Sequence, residues 1–221
     1  MLHKDFDAID PTKARVILIE GSDHLLSPFP PELRESALRQ LQKLGVEVQL
    51  GRRVEAIREG ELVASGQVIR ADNIIWGAGV GGAPIAKQLG VELDRAGRIK
   101  VLPDCSVPGH PEVFALGDMA TLTDANGTVV PGVAQGAMQM GAHVAELIGR
   151  EVRGEKFAPV GRAAFAYHDK GTMATIGRSS AVAYIWNRQL SGFPAWIAWL
   201  GVHLLFLVGF RNRFSVLMQW I

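Results

Sequence analysis

Residues Ala14-Arg15-Val16-Ile17-Leu18-Ile19 form an almost unbroken aliphatic run that stops on Glu20-Gly21. A run of this kind predicts a strand covered on both faces, the habit of parallel sheets. Parallel neighbours need a crossover connection, and the following residues supply one. Pro30-Pro31 opens a helix in which Leu33, Ala37, Leu38, Leu41 and Leu44 recur at helical spacing and Gly45 is the stop. Val46, Val48 and Leu50 then alternate as a second strand, so residues 14–50 read as β-α-β and the chain as α/β. Residues 1–13 are polar and read as the end of a connection into the first strand.

The acid that closes the first strand has two readings. A dinucleotide-binding fold places there the carboxylate that grips a ribose 2′-hydroxyl, but a solvated strand end looks the same. The glycine fingerprint that precedes such an acid by about 20 residues would lie before Met1, so the chain reads as the back portion of a longer protein. Short apolar pieces around Val54–Ile57, Leu62–Ala64 and Val68–Ile69, separated by Gly60 and Gly66, predict an antiparallel meander. Asn73-Ile74-Ile75-Trp76-Gly77-Ala78-Gly79-Val80-Gly81-Gly82 follows and contains a literal GxGxxG at Gly77, Gly79 and Gly82, ahead of a short helical pattern at Pro84–Leu89. It reads either as a phosphate-binding turn or as the closing strand of a domain, where glycines let a ligand approach the backbone. The second reading is preferred, because any glycine-rich loop can match the motif. Residues 91–111, with Gly97, Pro103, Pro108, Gly109 and Pro111, read as a connecting segment.

Glu112-Val113-Phe114-Ala115-Leu116-Gly117-Asp118-Met119-Ala120 predicts a short buried strand ending on a small residue and a carboxylate. Asp118 sits where open α/β sheets bind ligands and can accept a hydrogen bond from a sugar or polyol hydroxyl; the alternative is a turn Asp holding its own backbone. A polar turn at Asp124–Gly127 leads into a helix from about Pro131-Gly132. Gln135 and Gln139 stand one turn apart near its positive end, where two amides could donate to a carbonyl-rich ring. Glu146 and Arg150 read as a solvated pair on the same helix.

Net charge is +1 overall, yet residues 151–221 hold eight Lys/Arg against three Asp/Glu, leaving −4 for residues 1–150. Four of the five Trp (Trp186, Trp196, Trp199 and Trp220) lie in that basic tail. Cations beside aromatics embedded in aliphatic runs point to a membrane surface rather than nucleic acid. From Phe193 to Phe210 eighteen residues carry no formal charge. A helix of that length reaches roughly 27 Å, just short of a hydrocarbon core. Gly192, Pro194, Gly201, Gly209 and the central His203 favour a helix lying in the interface over a span, and a homodimer interface is a further use of the same surface. The lone Cys105 excludes an internal disulfide and any CxxC redox or zinc chemistry, and it reads as an ordinary small residue. No secretory signal is visible, so a reducing cytoplasmic setting is the default expectation.

Taken together, Ile17-Leu18-Ile19-Glu20, Ile74-Ile75-Trp76-Gly77-Ala78-Gly79-Val80, Val113-Phe114-Ala115-Leu116-Gly117-Asp118 and Ala134-Gln135-Gly136-Ala137-Met138-Gln139 resemble the type II NADH:quinone oxidoreductases. The stretch Phe165-Ala166-Tyr167-His168-Asp169-Lys170-Gly171-Thr172-Met173-Ala174-Thr175-Ile176-Gly177-Arg178 and the run Gly209-Phe210-Arg211-Asn212-Arg213 carry the resemblance into the tail. It implies part of a two-dinucleotide-domain, Rossmann-like flavoprotein with a C-terminal membrane-associating helical region. The implied division is an incomplete NADH-binding domain over 1–82, the C-terminal part of an FAD-binding domain over 83–160, and a quinone-site and anchoring region over 161–221.

Carried over residue by residue, the resemblance makes Glu20 the acid for the NADH ribose and Gly77 and Gly79 the backbone beside the nicotinamide. Gly117-Asp118 would bind the FAD ribityl chain, while Ala134 and Gln135 would border the flavin and Gln139 would face the quinone. Lys170 would stabilise a reduced flavin or quinol anion. The implied setting is monotopic, on the cytoplasmic face of a bacterial inner membrane, with no metal. The flavin fingerprint and the first glycine turn of the NADH domain have no counterpart in the 221 residues, so weak FAD binding by this polypeptide alone is expected. The competing readings are a related soluble flavoprotein reductase and a non-catalytic membrane-associated domain.

Overall fold

The computed structural model describes residues 14–77, 79–155, 161–207 and 209–220, and the connection read over residues 1–13 lies outside them. The chain forms two compact units, one holding the residues up to Ile75 together with those from Lys170 onward, the other Trp76–Asp169.

In the first unit β1 (Val16–Ile19) and β2 (Val46–Gln49) pair in parallel, with Val16 opposite Val46 and Ile19 opposite Gln49. The crossover is α1 (Pro31–Lys43), which places Pro where a helix has no use for an N–H and ends at Gly45 with φ 85°. The expected β-α-β is present, but two-faced burial of its first strand is not. Among the described residues the sheet has two strands, and Val16 remains 54% exposed. The meander forms as the spacing predicts: β3 (Val54–Arg58), β4 (Glu61–Ala64) and β5 (Gln67–Arg70) run antiparallel through turns at Gly60 and Gly66, both at positive φ.

The second unit departs further from expectation. Ile74-Ile75-Trp76, where the chain passes from the first unit into the second, forms no closing strand, and Ile75 is 94% exposed. Pro84–Leu89 is a 3-10 helix ending at Gly90 in the left-handed region. The segment read as a connector carries β6 (Ile99–Lys100), β7 (Ser106–Val107) and β8 (His110–Phe114), the first two too short to show a period. β8 folds back on β7 through Gly109 at φ 82°, so only Glu112–Phe114 of the Glu112–Ala120 stretch is strand, in the exposed arm of a hairpin. Ala115 and Ala120 are the buried residues of that stretch.

β9 (Ala120–Thr121) pairs in parallel with β6. The helix that follows, α2 (Ala134–Val152), starts after Pro131-Gly132 because Val133 still donates to the Pro131 carbonyl in a turn. It buries Gly136, Met140, Val144 and Leu147, spaced at three or four residues, against a core that includes Ile99, Val107, Leu122 and Phe165. Cys105 lies in the same core, and burial pushes its thiol up to about 12, so it is inert.

The first unit resumes with a three-stranded antiparallel sheet that hydrophobic pattern alone did not reveal: β10 (Thr172–Gly177), β11 (Ser180–Ile185) and β12 (Arg188–Gly192). The central strand is read from both sides. Val182 and Tyr184 pack towards Phe29, Leu33 and Ala37 on the α1 side, whereas Ala181, Ala183 and Ile185 pack towards Ala195, Trp196 and Leu200 of α3 (Phe193–Phe206). This alternation is the period of two of a strand covered on both faces. The chain closes with α4 (Phe210–Trp220).

Candidate functional site

The second unit sorts its turn aspartates into two kinds. Asp94 accepts the Ala96 and Arg98 amides at 2.8 and 2.9 Å, Asp104 the Ser106 amide at 3.1 Å, and Asp124 the Asn126, Thr128 and Tyr167 amides at 2.9, 2.8 and 2.8 Å. Backbone donors, that of Arg98 for Asp94 and that of Tyr167 for Asp124 first, hold these two carboxyls below the usual carboxylate range. Asp118 does nothing of this sort. It is exposed, and its carboxylate has no hydrogen-bond partner among the described residues.

Three glycines bring Asp118 to the start of α2. Gly117, at φ 61°, lies so close to the helix that an added Cβ would stand 3.0 Å from the Ala137 Cβ. At Gly132 a Cβ would sit 3.4 Å from Asp118 Oδ1, and at Gly136 it would sit 2.9 Å from the Pro131 carbonyl. The Gly117–Met119 turn therefore lies against the start of α2, with the carboxylate near Gly132, two residues ahead of the helix. Ala134 and Gln135 are the first two residues of that helix.

Gln139, one turn further on, is engaged at both ends. Its Nε2 donates to the His168 carbonyl at 3.0 Å, and its Oε1 accepts the His168 amide at 2.9 Å. The clasp fixes the segment just before Lys170, which is exposed at the start of the first unit's later part. Gly171 follows at φ 97°; a Cβ there would stand 2.4 Å from the Tyr184 carbonyl, so no other residue fits the Asp-Lys-Gly turn.

In the first unit Glu20 stands at the carboxyl end of β1 as expected. Its Oε1 accepts the Ser22 amide at 2.8 Å, and Ser22's amide and hydroxyl hold the carboxyl below its usual range. Ser22 is the partner that strand reasoning overlooked. The following residues, Asp23, His24 and Leu25, line an open cavity of about 260 Å³ with Arg34, Leu38 and Leu50.

The glycine-rich stretch belongs to the second unit apart from its first residues. Gly82 donates to the Ala96 carbonyl at 2.9 Å, and a Cβ on it would come within 2.1 Å of the Gly97 carbonyl. The third glycine of GxGxxG is thus needed for packing against a turn. Gly77 and Gly79 are exposed with open space at the Cβ position, and Gly79 has φ 92°, so their backbone is open to a ligand.

Among the described residues no helix is long and apolar enough to cross a membrane. The fourteen residues of α3 reach about 21 Å. Arg213 closes the end of α3 by donating to the Leu207 and Leu205 carbonyls at 2.7 and 3.0 Å. The helix formed by the uncharged run therefore stops at Phe206, and α4 begins only at the run's last residue, Phe210.

Comparison with known proteins defines the class first. Residues 8–141 match the family described as pyridine nucleotide-disulphide oxidoreductase, and residues 169–221 match the NDH2 C-terminal domain. The chain is 46% identical over 97% of its length to the type II NADH:quinone oxidoreductase Ndh of Mycobacterium tuberculosis and 41% identical over 97% to NdhA of the same organism. It spans 47% of the length of each. The solved structure of NDH2 from Plasmodium falciparum in complex with NADH superposes with a TM-score of 0.78 at 15% identity, over 93% of this chain and 57% of that one. An FAD-dependent pyridine nucleotide-disulphide oxidoreductase from Desulfovibrio vulgaris gives 0.56 at 22% identity, over 76% of this chain and 42% of that one. The chain belongs to the pyridine nucleotide-disulphide oxidoreductase family, and within it to the type II NADH:quinone oxidoreductases.

Proposed function

We propose that this chain is the C-terminal part of an FAD-dependent enzyme that passes electrons from NADH to a quinone dissolved in a membrane. The observation that carries the proposal is the carboxylate of Asp118, without a hydrogen-bond partner among the described residues. It lies beside Gly132 at the start of α2, while Asp94, Asp104 and Asp124 clamp their own turns. An unpaired acceptor at a helix N-terminus, cleared of side chains by glycine, fits a polyol hydroxyl. A bound flavin would supply acceptance of a hydride and release of electrons to a second substrate.

The chain's residues do the holding. Asp118 would accept from the ribityl chain, and Gly117 lets that turn approach α2. Ala134 and Gln135 would present the first turn of the helix, with its positive end, to the ring system. Glu20, preset by Ser22, receives the ribose hydroxyls of NADH and disfavours a 2′-phosphate by charge. Gly77 and Gly79 offer backbone to the nicotinamide side. Lys170 would supply a cation to a reduced flavin or quinol, from the Asp-Lys-Gly turn whose shape Gly171 allows.

The enzyme works as a monotopic protein on the cytoplasmic face of the membrane. Support comes from α3, which is apolar around its whole circumference although Phe193, Ile197 and Leu205 are 56%, 47% and 72% exposed. A helix of that character is stable where lipid covers the open side. A homodimer is the other use of this surface.

Flavin content tests the proposal. In protein purified from the natural gene, Asp118→Ala lowers flavin occupancy and Asp118→Glu restores part of it, while Asp124→Ala lowers thermal stability first. Unchanged flavin affinity in Asp118→Ala would count against the site.

A further inference from the structure

From Lys170 to Ile221 the chain has five Lys/Arg and no Asp or Glu. One of these cations, Arg178, sits in the turn between β10 and β11, exposed and without a partner among the described residues. Arg213, by contrast, caps α3. Ala181 pairs with Gly192, so the Arg178 turn and the start of α3 lie at the same end of the sheet. There Arg178, Thr175, Gly177, Trp196 and Trp199 line an open cavity of about 230 Å³. Trp196 is anchored in the core under α3, stacked on Phe193 at 5.9 Å between ring centres. Trp199 is only partly buried and packs on His203. The exposed Phe193, Ile197 and Leu205 recur at multiples of four along α3 and form an apolar row.

We infer that this cavity seats the phosphate of an anionic phospholipid. The inference rests on the membrane-surface reading above and adds to it a chemically selective contact. A planar guanidinium presents paired donors that match a phosphate. Indole rings prefer the headgroup level, with an apolar body and one N–H donor. The apolar row offers acyl chains a surface on the same helix, and no carboxylate lines the cavity itself. Lipid chemistry, rather than a free anion, accounts for the cation and the apolar row together.

Co-sedimentation of the membrane-extracted protein with vesicles tests it, using phosphatidylcholine alone or mixed with phosphatidylglycerol. Arg188, at the opposite end of the sheet, is the control for bare charge. The expected result is tighter binding to the mixed vesicles, reduced about fivefold or more by Arg178→Ala and less by Arg188→Ala, with Arg178→Lys intermediate. Equal losses in the two alanine variants, or binding indifferent to phosphatidylglycerol, overturn the seat and leave the membrane-surface reading intact. Failure to bind either vesicle overturns both.

Discussion

The side-chain amide of Gln139 and the peptide of His168 exchange two hydrogen bonds, at 3.0 and 2.9 Å. The resemblance assigns this Gln to a quinone, whereas both ends of its amide are occupied by backbone. We propose that this Gln acts by holding the segment that ends at Asp169. Gln139→Leu should cost about 1–3 kcal/mol of stability, because it leaves the His168 groups to be satisfied by water. Activity should fall in parallel with ferricyanide, which needs no quinone pocket, and with a short-chain quinone. Loss confined to quinone reduction, with an unchanged unfolding transition, would restore the direct contact.

The two kinds of glycine in the Gly77–Gly82 stretch predict opposite phenotypes. Gly82→Ala forces a Cβ to 2.1 Å from the Gly97 carbonyl and should destabilise by about 1–3 kcal/mol. Gly77→Ala meets nothing within 4 Å and should leave stability within about 0.5 kcal/mol. Thermal unfolding separates them, and under the proposed function Gly77→Ala raises the KM for NADH instead.

Arg162 ties the second unit together, donating to Asp104 at 3.2 Å, to Glu151 at 2.7 Å and to the Pro111 carbonyl at 2.6 Å, with side chains 8% and 7% exposed in the Arg162–Asp104 pair. Burial pushes the Asp104 carboxyl up, but Ser106 and Arg162 outweigh it and hold the group below its ordinary value. A carboxyl lowered in the folded state stabilises above the unfolded pKa, and the gain is lost as pH falls through the folded one. Asp104→Asn should therefore cost about 3 kcal/mol at neutral pH. The gap from the parent protein should shrink in urea titrations as pH falls below about 4.

What was legible followed the length of each signal. The β-α-β and the meander were readable because their apolar positions run long enough to fix a period and their glycines fall at turns of positive φ. β6 and β7, with two residues each, carry no period, and β8 reverses direction through Gly109, a feature that its alternation cannot report. β10–β12 were hidden for another reason: β11 is apolar on both faces because two helices cover it, which masks alternation. Glu20 and Asp118 could be found from their places at strand ends. Neither the Ser22 donor nor the Gln139–His168 clasp could be, since the latter joins residues 29 positions apart through backbone groups that no side-chain pattern encodes.

Replacing two members of the α3 apolar row, Ile197→Ser with Leu205→Ser, should weaken vesicle binding about tenfold while leaving the fold intact. Leu205 is 72% exposed and Ile197 47%, so neither belongs to the buried core. The check is co-sedimentation beside circular dichroism. Unaltered partitioning would mean that another surface holds the membrane.

Under the proposed function electrons pass from NADH to a membrane quinone, which the stoichiometry of products decides. In FAD-supplemented membranes from cells expressing the natural gene, one quinol should form for each NADH consumed, with the rate suppressed by Asp118→Ala. NADH consumption without quinol, or quinol formation indifferent to Asp118→Ala, would contradict it.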